Sequence, residues 1–214
     1  MTKLQLAVDL VSIEEFERVI VPLLPAIDVV EAGTPLIKRY GLAAVRAFRE
    51  LAPTHQVIAD MKTMDAGGLE AEMAFGAGAD MMTVLGCASD ATISAAVDVA
   101  HLAGKDIVAD LIGVADKVAR ARQLVELGVS FLGIHTGTDD QAAGADPLAD
   151  LQAVRAAVTA QLVVAGGITA DTLPSILSQT PAIVIVGSGI LGQPDPVAAA
   201  GRLRAIIDHR KVHQ

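Results

Sequence analysis

Residues 56–68 read QVIADMKTMDAGG, an apolar run that ends in three charged residues and a glycine pair. The run 56–58 is typical of a buried strand. Asp60 and Lys62 are two positions apart, so both point to the same side of that strand, and Asp65 follows its end. Because a buried strand interior would not accept this charge, the stretch predicts a strand that ends at a functional site. A salt-bridged strand end is the alternative that these three residues alone leave open.

Similar apolar runs recur along the whole chain, separated by amphipathic segments long enough for one helix each. Ser12 followed by Glu15 predicts a capping box at the start of the first helix. Further helix starts are predicted at Ser89, Asp116 and Asp195-Pro196, and helix ends at Gly104 and Gly128. The eight predicted strands are residues 4–10, 27–33, 56–62, 80–86, 106–112, 131–136, 162–166 and 182–187.

Eight β-then-α units without a break in composition predict an α/β fold, a (β/α)8 TIM barrel that occupies residues 1–214 as a single domain. An open doubly wound sheet is the competing architecture. It is disfavoured because residues 9–12, after the first strand, read DLVS and not a glycine-rich dinucleotide turn.

Composition excludes several classes of partner. The net charge of −9 argues against nucleic acid, because a phosphate backbone needs a basic surface. No uncharged apolar run of membrane-spanning length occurs, and no signal peptide opens the sequence, so we expect a cytoplasmic protein without a membrane partner. A single cysteine, Cys87, suits a reducing compartment, and its apolar neighbours predict a buried structural thiol.

Five predicted strands place ionisable residues at or near their C-terminal ends, which is where barrel enzymes carry their active sites. Five such strand ends at the same end of a barrel are difficult to explain by packing alone, because buried charges are costly unless they are paired or serve in binding or catalysis. These residues are Asp9, Glu31, Asp60 with Lys62, Asp110 and His135.

The residue types indicate a metal and a cationic stabiliser. Glu31 and Asp60 offer the oxygen ligands that Mg²⁺ prefers, and the same donors suit Mn²⁺. One nearby histidine and an isolated cysteine disfavour a zinc cage. Lys62, between two carboxylates, is expected to stay protonated and to stabilise negative charge. A Schiff-base nucleophile would instead need a depressed pKa.

His135 ends the sixth predicted strand and is followed by the polar residues 136–139. A histidine in this place can be a hydrogen-bonded rim residue with no function. Here it faces the carboxylate cluster, so we interpret it as a general acid or base.

The last two predicted strands end in glycines, at Gly166-Gly167 and at Gly187-Ser188-Gly189. Barrels frequently bind phosphate with the loops after strands seven and eight, where glycine lets backbone N–H groups approach an anion. A tight turn explains one glycine pair equally well, but the same feature after both strands favours a phosphate site.

With these residues assembled, the chain resembles the orotidine 5′-monophosphate decarboxylase suprafamily, which carries Asp-x-Lys-x-x-Asp at the end of strand three. Asp60, Lys62 and Asp65 match that motif. Within the suprafamily the chain is similar to the 3-hexulose-6-phosphate synthase family over essentially its whole length. The stretches that carry the resemblance are residues 4–9, 30–35, 59–67, 83–86 and 135–137.

The resemblance implies a metal-dependent aldolase, a lyase that condenses formaldehyde with D-ribulose 5-phosphate through an enediolate to give D-arabino-3-hexulose 6-phosphate. This reaction fixes formaldehyde in the ribulose monophosphate pathway. It further implies that Glu31 and Asp60 bind Mg²⁺ or Mn²⁺, that His135 is the base, and that Lys62 stabilises the enediolate. Asp9, Asp110 and Thr136 are implied to lie near the substrate, with Asp110 positioning Lys62. The phosphate is implied to bind at Gly166, Gly167, Gly187 and Ser188.

The same resemblance implies a homodimer with shared active sites, because the second aspartate of the motif, Asp65, reaches the neighbouring subunit's site. The related 3-keto-L-gulonate 6-phosphate decarboxylases carry arginine where this chain has Thr138 and Ser188, which favours the synthase. Two alternatives stay open, a catalytically silent phosphosugar-binding barrel and a Schiff-base aldolase that uses Lys62.

Overall fold

Eight parallel strands form at the eight predicted places, and they close into a barrel because the first pairs with the last. This confirms the predicted TIM barrel and excludes the open sheet. The computed structural model describes residues 1–209. Its strands are β1 (Lys3–Val8), β2 (Val29–Ala32), β3 (Gln56–Thr63), β4 (Met81–Leu85), β5 (Asp106–Asp110), β6 (Phe131–His135), β7 (Gln161–Ala165) and β8 (Ile183–Val186).

Helices follow each strand and cover the outside of the barrel. The predicted caps Ser89, Asp116 and Asp195 each accept a backbone N–H near a helix start, and Gly104 ends a helix with φ of +63°. The helices are α1 (Phe16–Val19), α2 (Thr34–Tyr40), α3 (Ala43–Leu51), α4 (Gly67–Gly76), α5 (Asp90–Ala103), α6 (Lys117–Glu126), α7 (Thr138–Ala142), α8 (Leu148–Ala157), α9 (Leu173–Ser178), α10 (Ser188–Leu191) and α11 (Pro196–His209).

The connection between β1 and β2 differs from the prediction of a capping box. Ser12 Oγ donates to the Glu15 carboxylate at 3.0 Å and makes no cap to a backbone N–H. The segment consists of the single turn α1 between two 3₁₀ stretches, Ile13–Glu15 and Val21–Ala26. Two prolines within Val21–Ala26 have no N–H to donate to an α-helical ladder, which accounts for the short turns.

The inside of the barrel has a lower apolar layer and an upper polar layer. Side chains alternate along a strand, so every second residue points inward. The lower layer is buried and consists of Val29, Ile58, Met81, Val108, Phe131, Val163 and Ile183. Two positions further along four of these strands stand Glu31, Asp60, Thr83 and Asp110. The polar layer therefore lies at the C-terminal ends of the strands, here called the rim.

Two further observations bear on the sequence analysis. Cys87 is exposed, so the prediction of a buried thiol is wrong. It lies in the turn after β4, where Arg120 donates to the carbonyl oxygens of Gly86 and Ala88 on either side of it.

Among residues 1–209, no helix combines the length and the apolar character needed to cross a membrane.

Candidate active site

A cavity of about 770 Å³ opens at the rim, enclosed by the loops that follow the strands. It brings together the predicted site residues from seven of the eight strands or from the loops that follow them. Those that line it are Asp9, Glu31, Asp60, Lys62, Asp110, His135, Gly166, Gly167, Gly187 and Ser188. Asp65 and Thr136 do not.

Lys62 lies between two carboxylates on the floor of this cavity. Its Nζ donates to Asp60 Oδ1 at 2.9 Å and Oδ2 at 2.7 Å, and lies 3.3 Å from Asp110 Oδ2. Burial alone would lower the pKa of Lys62, but the charges of Asp60 and Asp110 outweigh it and raise the pKa above its ordinary value. Lys62 is therefore a fixed positive charge and not a free amine.

Asp110 joins Lys62 to His135. Its Oδ2 lies 2.9 Å from His135 Nδ1. Burial raises the pKa of Asp110, but the hydrogen bond from His135 and the charges of His135 and Lys62 bring the net value below the ordinary range. Because Asp110 is a carboxylate, it accepts, and Nδ1 of His135 carries the proton. The other ring nitrogen, Nε2, is left to exchange a proton with a substrate.

The backbone of β3 is irregular where it carries Lys62. The pairing of β3 with β4 shifts between Ala59 and Thr63, and Lys62 has φ of +46°, a left-handed conformation that is uncommon for residues other than glycine. Lys62 N–H donates to Thr83 Oγ1 at 2.9 Å. The lysine side chain thus leaves the strand from a bulge.

Glu31 lies close enough to Asp60 for the two charges to interact, and both residues line the cavity. The Glu31 residue is only 6% exposed, and its Oε2 accepts from Gln5 Nε2 at 2.6 Å. Burial, and then repulsion by Asp60, raise the pKa of Glu31 to about 8, although the Gln5 hydrogen bond and Lys62 oppose the shift. If Glu31 and Asp60 were both ionised they would repel each other, so Glu31 keeps a proton at neutral pH in the metal-free protein.

This donor set fits a divalent cation that prefers oxygen. Gln5 Oε1 is buried without a hydrogen-bond partner in the described residues, and an ionised Glu31 would be repelled by Asp60. A divalent cation would relieve that repulsion. Within residues 1–209 no three His, Cys, Asp or Glu side chains gather into a candidate metal cluster. An ion held by Glu31 and Asp60 would therefore complete its shell with water or substrate oxygens, as Mg²⁺ commonly does.

The glycine loops after β7 and β8 form another wall of the cavity. Gly166 and Gly167 both have positive φ, +112° and +63°, which glycine adopts without strain. A Cβ on Gly166 would lie 2.5 Å from the carbonyl oxygen of Thr136. The loop after β7 therefore packs against the loop after β6 in a way that only glycine permits.

Thr136, which the resemblance implied to lie near the substrate, is not among the residues that line the cavity. Thr136 is buried and absent from the cavity wall, and its carbonyl accepts from Gln141 Nε2 at 2.7 Å. It follows His135 directly, so its side chain points to the opposite side of the chain. Thr136 therefore supports the loops, and its predicted contact with the substrate stays a prediction.

Asp65 is exposed and lies outside the cavity of its own chain. Its Oδ1 accepts the N–H of Ala66, which has a left-handed φ of +54°. Three large exposed apolar side chains are near it in the sequence, Met64, Leu69 and Met73, at 54%, 60% and 48% exposure. The predicted role of Asp65 in a neighbouring subunit stays a prediction.

Sequence reasoning missed several residues of this site. Two of them donate hydrogen bonds to the Asp60 carboxylate, Thr34 through Oγ1 and Thr83 through Oγ1, the latter to Oδ1 at 2.8 Å. The third is Lys38, which is exposed and lines the rim cavity. Thr83 stands two positions after Met81, an inward residue of the lower layer. Applying the two-residue alternation to every strand would have found it.

The fold and site define a class of (β/α)8-barrel enzymes. At the rim, these enzymes combine a lysine held between two aspartates, a histidine bonded to one of them, and glycine-rich loops. Residues 2–203 match the model of the orotidine 5′-phosphate decarboxylase / HUMPS family. The chain belongs to this family.

Similarity to individual proteins extends over nearly the whole chain. The 3-hexulose-6-phosphate synthase of Mycobacterium gastri is 43% identical over 205 residues, which cover 96% of this chain and 99% of that one. The crystal structure of 3-hexulose-6-phosphate synthase from Salmonella typhimurium superposes with a TM-score of 0.95 at 39% identity, covering 97% and 99% of the two chains. The 3-keto-L-gulonate-6-phosphate decarboxylase of Vibrio cholerae gives 0.84 at 29% identity, covering 97% and 98%.

Proposed function

We propose that this protein is a 3-hexulose-6-phosphate synthase, an aldolase that condenses formaldehyde with D-ribulose 5-phosphate to give D-arabino-3-hexulose 6-phosphate. The observation that carries the proposal is the array of Asp60, Lys62, Asp110 and His135 on the floor of the rim cavity. It occurs in a chain that is similar to synthases over nearly its full length.

His135 is the base in this reaction. Its Nε2 takes a proton from C1 of ribulose 5-phosphate, and the electron pair of that C–H bond forms the enediolate. C1 then bonds to the formaldehyde carbon, the C=O π electrons move to the formaldehyde oxygen, and the proton held by His135 balances the new hydroxyl. Asp110 keeps the ring oriented throughout, because its Oδ2 accepts a hydrogen bond from His135 Nδ1–H, with 2.9 Å between the two heavy atoms.

Lys62 stabilises the negative charge that develops on the enediolate. Its Nζ is already fixed by Asp60 and Asp110, so little reorganisation is needed when that charge appears. The raised pKa of Lys62 opposes a Schiff-base mechanism, which requires a neutral amine. A silent binding barrel would have no need of the base His135.

Glu31 and Asp60 would hold Mg²⁺ or Mn²⁺ next to this array. When bound, such a cation acts as a Lewis acid on substrate oxygens. The proposal rests on two buried acidic side chains that would repel each other when both are ionised, and on Gln5 Oε1, which has no hydrogen-bond partner among residues 1–209.

The phosphate of the substrate is assigned to the glycine loops, through backbone N–H groups near Gly166, Gly167, Gly187 and Ser188. Thr138 and Ser188 both line the cavity, so neither position supplies the arginine expected of the decarboxylases. This supports the synthase over 3-keto-L-gulonate 6-phosphate decarboxylase.

We also propose a homodimer that completes each site with Asp65 of the other subunit. The support is that Asp65 is exposed and that the apolar side chains of Met64, Leu69 and Met73, near it in the sequence, are exposed as well. Exposed apolar patches commonly mark protein interfaces. A cytoplasmic location is part of the proposal, because the lone cysteine suits a reducing compartment.

The direct test is hexulose 6-phosphate formation from ribulose 5-phosphate and formaldehyde with Mg²⁺, measured with and without EDTA and beside the His135→Ala variant. We expect product that requires the metal and is lost in the variant. A folded, metal-loaded protein that makes no product would refute the synthase proposal. Turnover of 3-keto-L-gulonate 6-phosphate in its place would identify the decarboxylase.

A further inference from the structure

We infer that Thr83 is a positioning residue that holds the Lys62 backbone and the Asp60 carboxylate in their working arrangement. Thr83 belongs to β4, is 6% exposed, and lines the cavity. Its hydroxyl accepts the Lys62 N–H at 2.9 Å and donates to Asp60 Oδ1 at 2.8 Å. One hydroxyl therefore bonds both Asp60 and Lys62, the first two charged residues of the β3 motif.

The direction of both hydrogen bonds is determined by chemistry. A backbone N–H can only donate, so the Thr83 oxygen accepts from Lys62. Asp60 interacts with the Lys62 ammonium through both oxygens and acts as a carboxylate acceptor, so the single hydroxyl proton goes to Asp60. A valine at this position would have nearly the same shape but could make neither bond.

The irregular pairing of β3 with β4 explains why Lys62 needs this partner. Ala59 pairs with Met82 and Thr63 with Val84, so β3 advances four residues while β4 advances two. The bulged Lys62 N–H has no place in the regular ladder, and the Thr83 hydroxyl takes the role that a ladder carbonyl would have.

The bulge matters for the side chain of Lys62. Its left-handed φ of +46° sends Nζ back to Asp60, two residues earlier, and toward Asp110 on β5. A non-glycine residue holds this conformation only when its surroundings enforce it. The two Thr83 hydrogen bonds are such an enforcement, so their loss is expected to displace the lysine and to slow the reaction.

The kinetic test rests on the proposed function and compares Thr83→Val with Thr83→Ser, which keeps the hydroxyl. We expect Thr83→Val to lower kcat by about 100-fold, the order of loss that a displacement of about 1 Å causes, while KM for ribulose 5-phosphate stays within about threefold. Thr83→Ser should retain most of kcat. The matched control is Thr2→Val, which removes a hydroxyl that donates to the Pro181 carbonyl outside the rim cavity.

A second measurement does not depend on the reaction. Hydrogen exchange of the Lys62 amide, followed by NMR, should be faster by about tenfold or more in Thr83→Val and close to wild type in Thr83→Ser and Thr2→Val. If the wild-type protein forms no hexulose phosphate, the proposed function fails while this exchange measurement still decides the role of Thr83. Unchanged kcat and exchange in Thr83→Val, or equal losses in the valine and serine variants, would overturn the inference.

Discussion

Asp110 Oδ2 lies 2.9 Å from His135 Nδ1, and the same oxygen lies 3.3 Å from Lys62 Nζ. One carboxylate oxygen therefore orients the general base and anchors the stabilising cation. Glycine at position 133 leaves room beside the Asp110 backbone, because a Cβ there would lie 3.3 Å from the Asp110 Cα, a tight contact.

Asp110→Asn should impair the reaction without unfolding the barrel. The amide has nearly the same shape but no charge, so it neither holds the Nδ1 proton of His135 as firmly nor balances Lys62. We expect kcat to fall by about 100-fold, within the range attributed to general acid–base catalysis. Asp106→Asn, at the other end of β5, is the control and should leave kcat near wild type. A loss of less than about threefold in Asp110→Asn would contradict this role.

Glu31→Gln should stabilise the metal-free protein, and more so at higher pH. Burial and Asp60 raise the pKa of Glu31 from 4.5 to about 8, so between these values the native state binds a proton that the unfolded chain releases. The contribution of Glu31 to the free energy of unfolding therefore falls as pH rises from about 4.5 to about 8. Thermal denaturation in EDTA should give Glu31→Gln a larger gain in Tm at pH 8 than at pH 5. An equal gain at both pH values would argue against the raised pKa.

The same substitution should weaken metal binding. Titration of Mn²⁺ followed by electron paramagnetic resonance should show a loss of affinity above the roughly 10–100-fold that removal of an outer-shell partner causes. Glu126→Gln, an exposed substitution on α6, is the control. Equal Mn²⁺ affinity in both variants would exclude Glu31 as a ligand.

Gly166→Ala should weaken binding of the phosphosugar. The new Cβ would lie 2.5 Å from the Thr136 carbonyl oxygen and would also be strained at φ of +112°, so the loop must move. We expect KM for ribulose 5-phosphate to rise by about tenfold, the loss of one good hydrogen bond to a charged group. Gly104→Ala shares the positive φ but meets open space, so it should lose stability with no change in KM. Equal KM values in the two variants would remove the loop from phosphate binding.

Asp65 can be tested by mixing two inactive proteins. If Asp65 serves the partner's site, a dimer of one Asp65→Asn chain and one His135→Ala chain has one doubly damaged site and one intact site. Random co-assembly should then restore about a quarter of wild-type activity. Lys62→Ala with His135→Ala is the control and should restore none, because both residues line their own chain's cavity. No recovery in the first mixture would contradict shared sites.

Most of the barrel could be predicted because each strand is marked by local sequence. The inward side of β3, for example, follows from the two-residue spacing of Ile58 and Asp60. The role of Thr83 could not, since it depends on a register shift between strands whose contacting residues are 21 positions apart. No local pattern specifies such a shift.

The error at Cys87 and the unexpected position of Thr136 have equally specific causes. Thr136 was expected near the substrate because it follows His135 in a motif, whereas it lies off the cavity wall and its contact with the substrate stays a prediction. Cys87 has apolar neighbours in sequence, but the turn that Arg120 holds keeps it at the surface. At Cys87 the neighbouring residues suggested an environment that the backbone geometry does not provide.

The two layers inside the barrel also separate what a protein engineer could change from what should be kept. On β2, β3 and β5 an apolar residue of the lower layer stands two positions before a carboxylate of the upper layer. Substitutions in the upper layer can therefore retarget the chemistry while the lower layer preserves the hydrophobic packing that closes the barrel. The side chains of the rim can in this sense be exchanged as a group, because they are separated from the apolar layer by only two residues along each of these strands.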